Sequence, residues 1–222
     1  VDVNRKHIEH PAGETAEPLL PASLLEALAR HGNTRSFRAQ SILISEGDVS
    51  DALFIVLRGR LRTYASSADG RDVVLAEHGP GDYVGELALD GGARSASVKT
   101  VEASTCCVVS GNELRSFLAE QPDFAFHLFG KLSRMARRLT EQVKSFALQD
   151  VYGRMARVLT ELSDVAGSER IVRDKLTQQD IADRVGASRE MVNRVMKDLT
   201  AGGYVTVRDG RYVICRKLPA AR

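Results

Sequence analysis

Cysteine is scarce in this chain, with three in 222 residues: Cys106, Cys107 and Cys215. The count is odd, two are neighbours, and neither a Cys-x-x-Cys pair nor a Cys-plus-His cluster occurs. That argues against a disulfide scaffold, a structural zinc site or a cysteine-ligated cluster, and buried filler is the expected role. Long apolar runs are lacking too. No stretch approaches the roughly 18 residues of a membrane span. The opening "VDVNRKHIEHPAGETAEPLL" has no apolar core of the kind a secretory leader carries, so the expectation is a cytoplasmic location without membrane contact. Catalytic spacing is equally thin. Glu86, Arg94, His78 and His127 are the nearest raw material, but no nucleophile–base spacing, metal motif or P-loop connects them. His78 is expected in a turn, and the chain is not expected to be an enzyme.

What remains is an ordinary folded composition, 43% hydrophobic and 27% charged, with an uneven charge. Residues 1–150 hold 17 Lys/Arg against 20 Asp/Glu, while residues 151–222 hold 14 against 9. The basic C-terminal part suits a polyanionic partner. From Phe37 to Val109 the chain reads as short strands. "ILISEGD" turns at Gly47–Asp48, "DALFIVLRGRLRTYA" breaks at Gly59, and Asp69–Gly70 is a hairpin signal. Such spacing indicates an antiparallel barrel or sandwich.

Helical periodicity follows Pro122. Ala125, Phe129, Leu132, Ala136, Leu139, Val143 and Phe146 recur at 4-3-4-3-4-3 spacing. This narrow heptad seam favours a self-paired helix and hence a homodimer. Asp150 reads as an N-cap opening a new helix, "VYGRMARVLTELSDVA".

Further on, Thr177-x-x-Asp180 resembles a capping box, Gly186 ends that helix, and Ser188 caps the next. In the second helix Val192, Val195, Met196 and Leu199 form a core face, opposite Glu190, Arg194 and Lys197, with Arg189 and Asn193 on the flank. Two such helices around "VGAS" form a helix-turn-helix, and "YVTVRDGRYVIC" adds a two-stranded wing. A major groove admits one helix. Arginine donates twice to guanine there and glutamate accepts from cytosine, which gives an acidic residue a reason to sit among phosphates. Thr177, Gln178, Ser188, Arg189, Glu190, Asn193, Arg194 and Lys197 are the expected DNA contacts.

One stretch stays open on residue chemistry alone. In "GELALDGGARSASV", Glu86 and Arg94 either pair with each other or each meets a different part of one ligand. "GDYVGELALDGGARSASV", "LQDVYGRMA" and "LTQQDIADRVGASREMVNRVMKDL" together resemble the Crp/Fnr family of bacterial transcription regulators, in particular its catabolite-activator branch, over about residues 35–216. The resemblance implies an α+β protein. Its parts would be an N-terminal arm (1–20), a cyclic-nucleotide-binding β-roll of jelly-roll type (21–122), a dimerisation helix (123–149) and a winged helix-turn-helix (150–222). It implies that Glu86 accepts from a ribose hydroxyl and that Arg94 and Ser95 hold a cyclic phosphate, within a cassette including Gly85, Leu87 and Ala88. Leu75 is expected at the base end. The family's base-contacting Thr-Ser pair falls at Leu139-Thr140, where Thr140 keeps a hydroxyl, and the loop from Glu86 to Arg94 is shorter than in catabolite activators. Cyclic AMP is the first ligand to expect; cyclic GMP, a cyclic dinucleotide such as cyclic di-GMP, or no ligand remain open. The resemblance also implies double-stranded DNA with TGTGA-like half-sites, and RNA polymerase, as partners.

Overall fold

The computed structural model describes residues 20–68 and 70–218. Residues 1–19 of the expected arm, Asp69 of the hairpin signal and the side chain of Ala88 lie outside what is described. After α1 (Ala22–Ala29) come β1 (Asn33–Phe37), β2 (Ile42–Ile44), β3 (Leu53–Arg58), β4 (Leu61–Ser66), β5 (Asp72–His78), β6 (Tyr83–Val84), a 3₁₀ turn at Glu86–Asp90, β7 (Ser97–Thr100) and β8 (Ser104–Val109). They form two antiparallel sheets, ordered β1-β8-β3-β6 and β2-β7-β4-β5.

Strand periodicity explains how the layers seal. Phe54 and Val56 of β3 point between the sheets, where they meet Ile44, Leu61, Val84, Val98 and Cys106. Leu53 and Ile55 point the other way and join Tyr83, Cys107 and Val109 under the helical layer. The adjacent cysteines thus fill two different cores, and burial pushes the Cys106 thiol up to about 11. Both are free, as is Cys215.

Two helices close the roll. α2 (Gly111–Glu120) starts on a capping box formed by Ser110 and Glu113. α3 (Pro122–Leu148) runs for 27 residues. Phe124, Lys131 and Ser145 are its buried positions. Its heptad seam stays open in the single chain, with Phe129 71% and Val143 66% exposed.

Asp150 caps α4 (Val151–Glu161), accepting from the Gly153 N–H at 2.7 Å. There follow β9 (Ser163–Ala166), β10 (Glu169–Val172), α5 (Gln178–Val185), α6 (Arg189–Ala201), β11 (Val205–Arg208) and β12 (Arg211–Ile214). The expected wing is part of a four-stranded sheet, β11-β12-β10-β9, because "SDVAGSERIV" folds as a hairpin of its own. Met155, Leu159, Val172, Ile181, Val192, Leu199 and Ile214 make this part's separate core. No described helix is long and apolar enough to cross a membrane.

The two parts touch through charge. Arg62 on β4 contacts Glu77 on β5 at 2.8 Å and Asp180 on α5 at 3.5 Å, and Arg184 on α5 donates to Glu77 at 2.5 Å. Arg60 reaches Asp174 at 2.9 Å. The outer face of the β4–β5 hairpin therefore holds the first helix of the helix-turn-helix.

Candidate effector cavity and nucleic-acid interface

Between the second sheet, the 3₁₀ turn and α3 lies a cavity of about 290 Å³. Gly85, Glu86, Leu87, Arg94 and Ser95 line it, and so does Leu75 from β5. Arg94 is 5% exposed. Its guanidinium donates to the carbonyls of Gly85 (2.8 Å) and Ala52 (2.6 Å) and to the Ser50 hydroxyl (3.1 Å). Its main chain is pinned as well, N–H to the Asp48 carbonyl and carbonyl to the Gly47 N–H, both 2.9 Å.

Glycine is required at 85. Its φ is +101°, and a Cβ there would stand 2.6 Å from the Ala52 carbonyl and 2.9 Å from Nη1 of Arg94. One polar atom is left over, since Nε of Arg94 is buried without a hydrogen-bond partner. Burial lowers the Arg94 guanidinium from its usual value, against the pull of Asp51, Glu86 and Asp48, yet it remains a cation. A desolvated, preset guanidinium with a donor to spare suits an anion.

Glu86 and Arg94 do not pair. The nearest cation to the buried Glu86 is Lys131 on α3, at 3.9 Å. The pairing left open in the sequence is thereby settled, and the acid and base face the cavity as separate groups.

The α3 side of the cavity differs from expectation. Met135, Arg138, Leu139 and Gln142 line it, at helical spacing, and Gln142 donates to the Leu75 carbonyl at 3.3 Å. Thr140 lies on an exposed face, its hydroxyl donating to the Ala136 carbonyl at 3.0 Å. Within one chain the helix thus presents Leu139, the other member of the pair read in the sequence, and not the Thr140 hydroxyl. His78 also departs from its expected turn. It is the last residue of β5, 4% exposed, and lines the cavity with Thr63. His127, by contrast, packs against Tyr83 and Phe124.

In the helix-turn-helix, Thr177 and Asp180 form the reciprocal capping box and Gly186 adopts φ +61° in the left-handed region. The Ser188 hydroxyl accepts from the Met191 N–H at 3.3 Å. These caps fix where α6 begins, so Arg189, Glu190, Arg194 and Lys197 emerge together on its exposed side. Asn193 is half-buried, accepting from Gln178 at 3.2 Å, which ties the two helices across the turn. Arg194 leans on the Met191 sulfur at 3.0 Å. The face carries cationic donors and one acceptor over the first nine residues of α6, the chemistry for reading base edges.

Two family models match the chain: a cyclic nucleotide-binding domain over residues 34–121 and a Crp-like helix-turn-helix domain over residues 153–220. A sensor roll followed by a winged helix-turn-helix defines a DNA-binding transcription regulator, not an enzyme. The chain is 31% identical over 198 residues, 86% of its length and 88% of the relative's, to the CRP-like cAMP-activated global transcriptional regulator of Mycobacterium tuberculosis. It is 29% identical over 180 residues, 79% of this chain and 86% of the other, to the cAMP-activated global transcriptional regulator CRP of Pasteurella multocida. Among solved structures, the c-di-GMP responsive global regulator CLP of Xanthomonas campestris superposes with a TM-score of 0.79 at 26% identity, covering 87% of this chain and 99% of that one. The chain belongs to the Crp/Fnr family of transcription regulators.

Proposed function

We propose that this regulator is a homodimer whose affinity for palindromic DNA is set by a cyclic nucleotide, cyclic AMP first. The observation that carries the reading is Arg94, a cavity-lining residue that is buried, braced on three sides and left with an unpartnered Nε. In this reading Arg94 and Ser95 hold the cyclic phosphate. Glu86 accepts from a ribose hydroxyl, Gly85 and Leu87 shape the cassette with Ala88, and Arg138 and Gln142 of α3 meet the rest of the ligand. A cavity near 290 Å³ is at the small end of ligand pockets, which favours a mononucleotide over the doubled bulk of cyclic di-GMP.

The exposed seam of α3, from Ala125 to Phe146, packs on a second copy, and that copy supplies the matching α6 for the other half-site. Arg189, Glu190 and Arg194 then read TGTGA-like half-sites about one helical turn apart. Thr177, Gln178, Ser188 and Lys197 fall on the backbone, with Asn193 bracing the turn, and RNA polymerase is the protein partner. A ligand shifts such a switch only by preferring one arrangement. Calorimetry with cyclic AMP, cyclic GMP and cyclic di-GMP, paired with gel shifts on a palindromic site, tests this. The expected result is micromolar binding of cyclic AMP and tighter operator binding in its presence. Operator affinity indifferent to all three overturns effector control.

A further inference from the structure

A second group of polar side chains lines the cavity besides those of the glycine-rich turn. Thr63 on β4 and His78 on β5 line it, with Thr63 Oγ1 at 2.9 Å from Nε2 of His78. Behind them Nδ1 of His78 lies 2.6 Å from an Asp82 oxygen. The other Asp82 oxygen accepts from the Tyr83 N–H at 2.7 Å and from Nζ of Lys131 at 2.6 Å. Lys131 is 2% exposed, also donates to the Tyr83 carbonyl, and stands 3.9 Å over the Tyr83 ring. Four polar side chains from separate elements thus form one chain from the cavity wall to α3.

The order of donors along it follows from one end. Burial opposes charge on Asp82, but the hydrogen bond from His78 and the ammonium of Lys131 outweigh it and hold the carboxyl well below the usual range. A carboxylate has no proton to give, so the proton shared with His78 is on Nδ1. Lys131 already balances the Asp82 carboxylate in this buried group, so the geometry suits a ring with a single proton; Nε2 is then an acceptor, and the Thr63 hydroxyl donates to it. The Thr63 oxygen is left with lone pairs for the cavity. A threonine standing alone would donate or accept; this one accepts.

We infer that Thr63 is a specificity-determining hydrogen-bond acceptor for the effector, with His78 and Asp82 as its positioning residues. It takes a donor on the ligand, an exocyclic amine or a ribose hydroxyl, and discriminates against a carbonyl in that place. This rests on the cyclic-nucleotide reading above. A site built for one hydrogen bond rejects the analogue lacking it more strongly than an apolar wall does.

The test is calorimetry on the whole chain with three ligands, cyclic AMP, its analogue without the 6-amino group and its 2′-deoxy analogue, and with inosine 3′,5′-cyclic phosphate as a fourth for the His78 variant. Thr63→Val keeps the shape and removes the hydroxyl. It should weaken cyclic AMP about tenfold, with Thr63→Ser restoring most of the loss. One analogue should already be weakened in the wild type and lose nothing further in Thr63→Val, which identifies the donor. His78→Phe, freeing the hydroxyl to donate, should raise the affinity of inosine 3′,5′-cyclic phosphate relative to cyclic AMP. A Thr63→Val loss equal for all three ligands, or no loss, overturns the inference while leaving effector binding intact. A wild type that binds none of them overturns the effector reading and this one with it.

Discussion

Arg94 and Arg194 sit in opposite surroundings. Arg94 is buried and held by two carbonyls, a hydroxyl and paired backbone before any ligand arrives. Arg194 projects from α6, and among the described residues its hydrogen-bond partner is only the Met191 sulfur. A fixed guanidinium has already lost its rotamer freedom on folding, so binding costs little order and shape decides what fits. A free one pays that cost on contact and can adjust to a base edge that varies in position. The sensor half is preorganised for one small ligand, whereas the α6 face is adaptable within a rigid frame set by its caps.

The hardest blow to this contrast is aimed under the cavity. Asp82→Asn leaves the buried Lys131 with only Glu86, 3.9 Å away, as counter-ion and should cost about 3 kcal/mol of stability in denaturant unfolding. Because the folded carboxyl is held below its ordinary value, its contribution is complete above about pH 4 and fades as pH falls below that toward the folded value. The gap between wild type and variant should therefore narrow on acidification; a gap constant with pH would assign the loss to packing.

Arg94→Ala comes next. It should weaken cyclic AMP roughly 100-fold, about 2–3 kcal/mol for a charge-assisted contact, and leave ligand-free DNA affinity unchanged. Equal losses in both assays would mean that the braced arginine is scaffold for the whole chain. On the adaptable side, Arg194→Ala should cost about 1–3 kcal/mol and relax preference at one base position. Lys197→Ala should instead weaken all sequences alike and lower the salt slope by about 1. The smallest effect belongs to the frame: Ser188→Ala removes the α6 cap and should cost about 1 kcal/mol in thermal unfolding, with effector affinity untouched.

Sequence legibility tracked how local the cause was. The capping box at Thr177, the left-handed Gly186 and the Ser188 cap act within four residues and were readable. So were the β3–β4 break at Gly59, with φ +87°, and the β11–β12 turn at Asp209–Gly210. α2 went unread although Ser110-x-x-Glu113 marks its start, because the strand run of β8 ends against it. α1 also went unread, and its N-cap position, Pro21, makes no side-chain cap. On α3 the seam is visible in the sequence, but the cavity face at Met135, Arg138, Leu139 and Gln142 meets it only at Leu139, and Thr140 rests on the family resemblance and not on periodicity. Thr63, His78, Asp82 and Lys131 carry no motif, since 68 positions separate members that meet only when β4, β5 and α3 pack.

Arg154 closes the circuit between the halves. Its Nε donates to the Val185 carbonyl at the end of α5 and its Nη1 to the Gln149 carbonyl at the end of α3, each at 2.8 Å. Its guanidinium lies 5.2 Å from the Phe146 ring centroid, and a Cβ at Gly186 would meet that ring at 2.7 Å. A swivel about Asp150 cannot loosen one of these grips by degrees, because a single planar group holds both ends. Turning the α6 face about Asp150 would have to break both hydrogen bonds of that one guanidinium together, which sets a threshold on the joint.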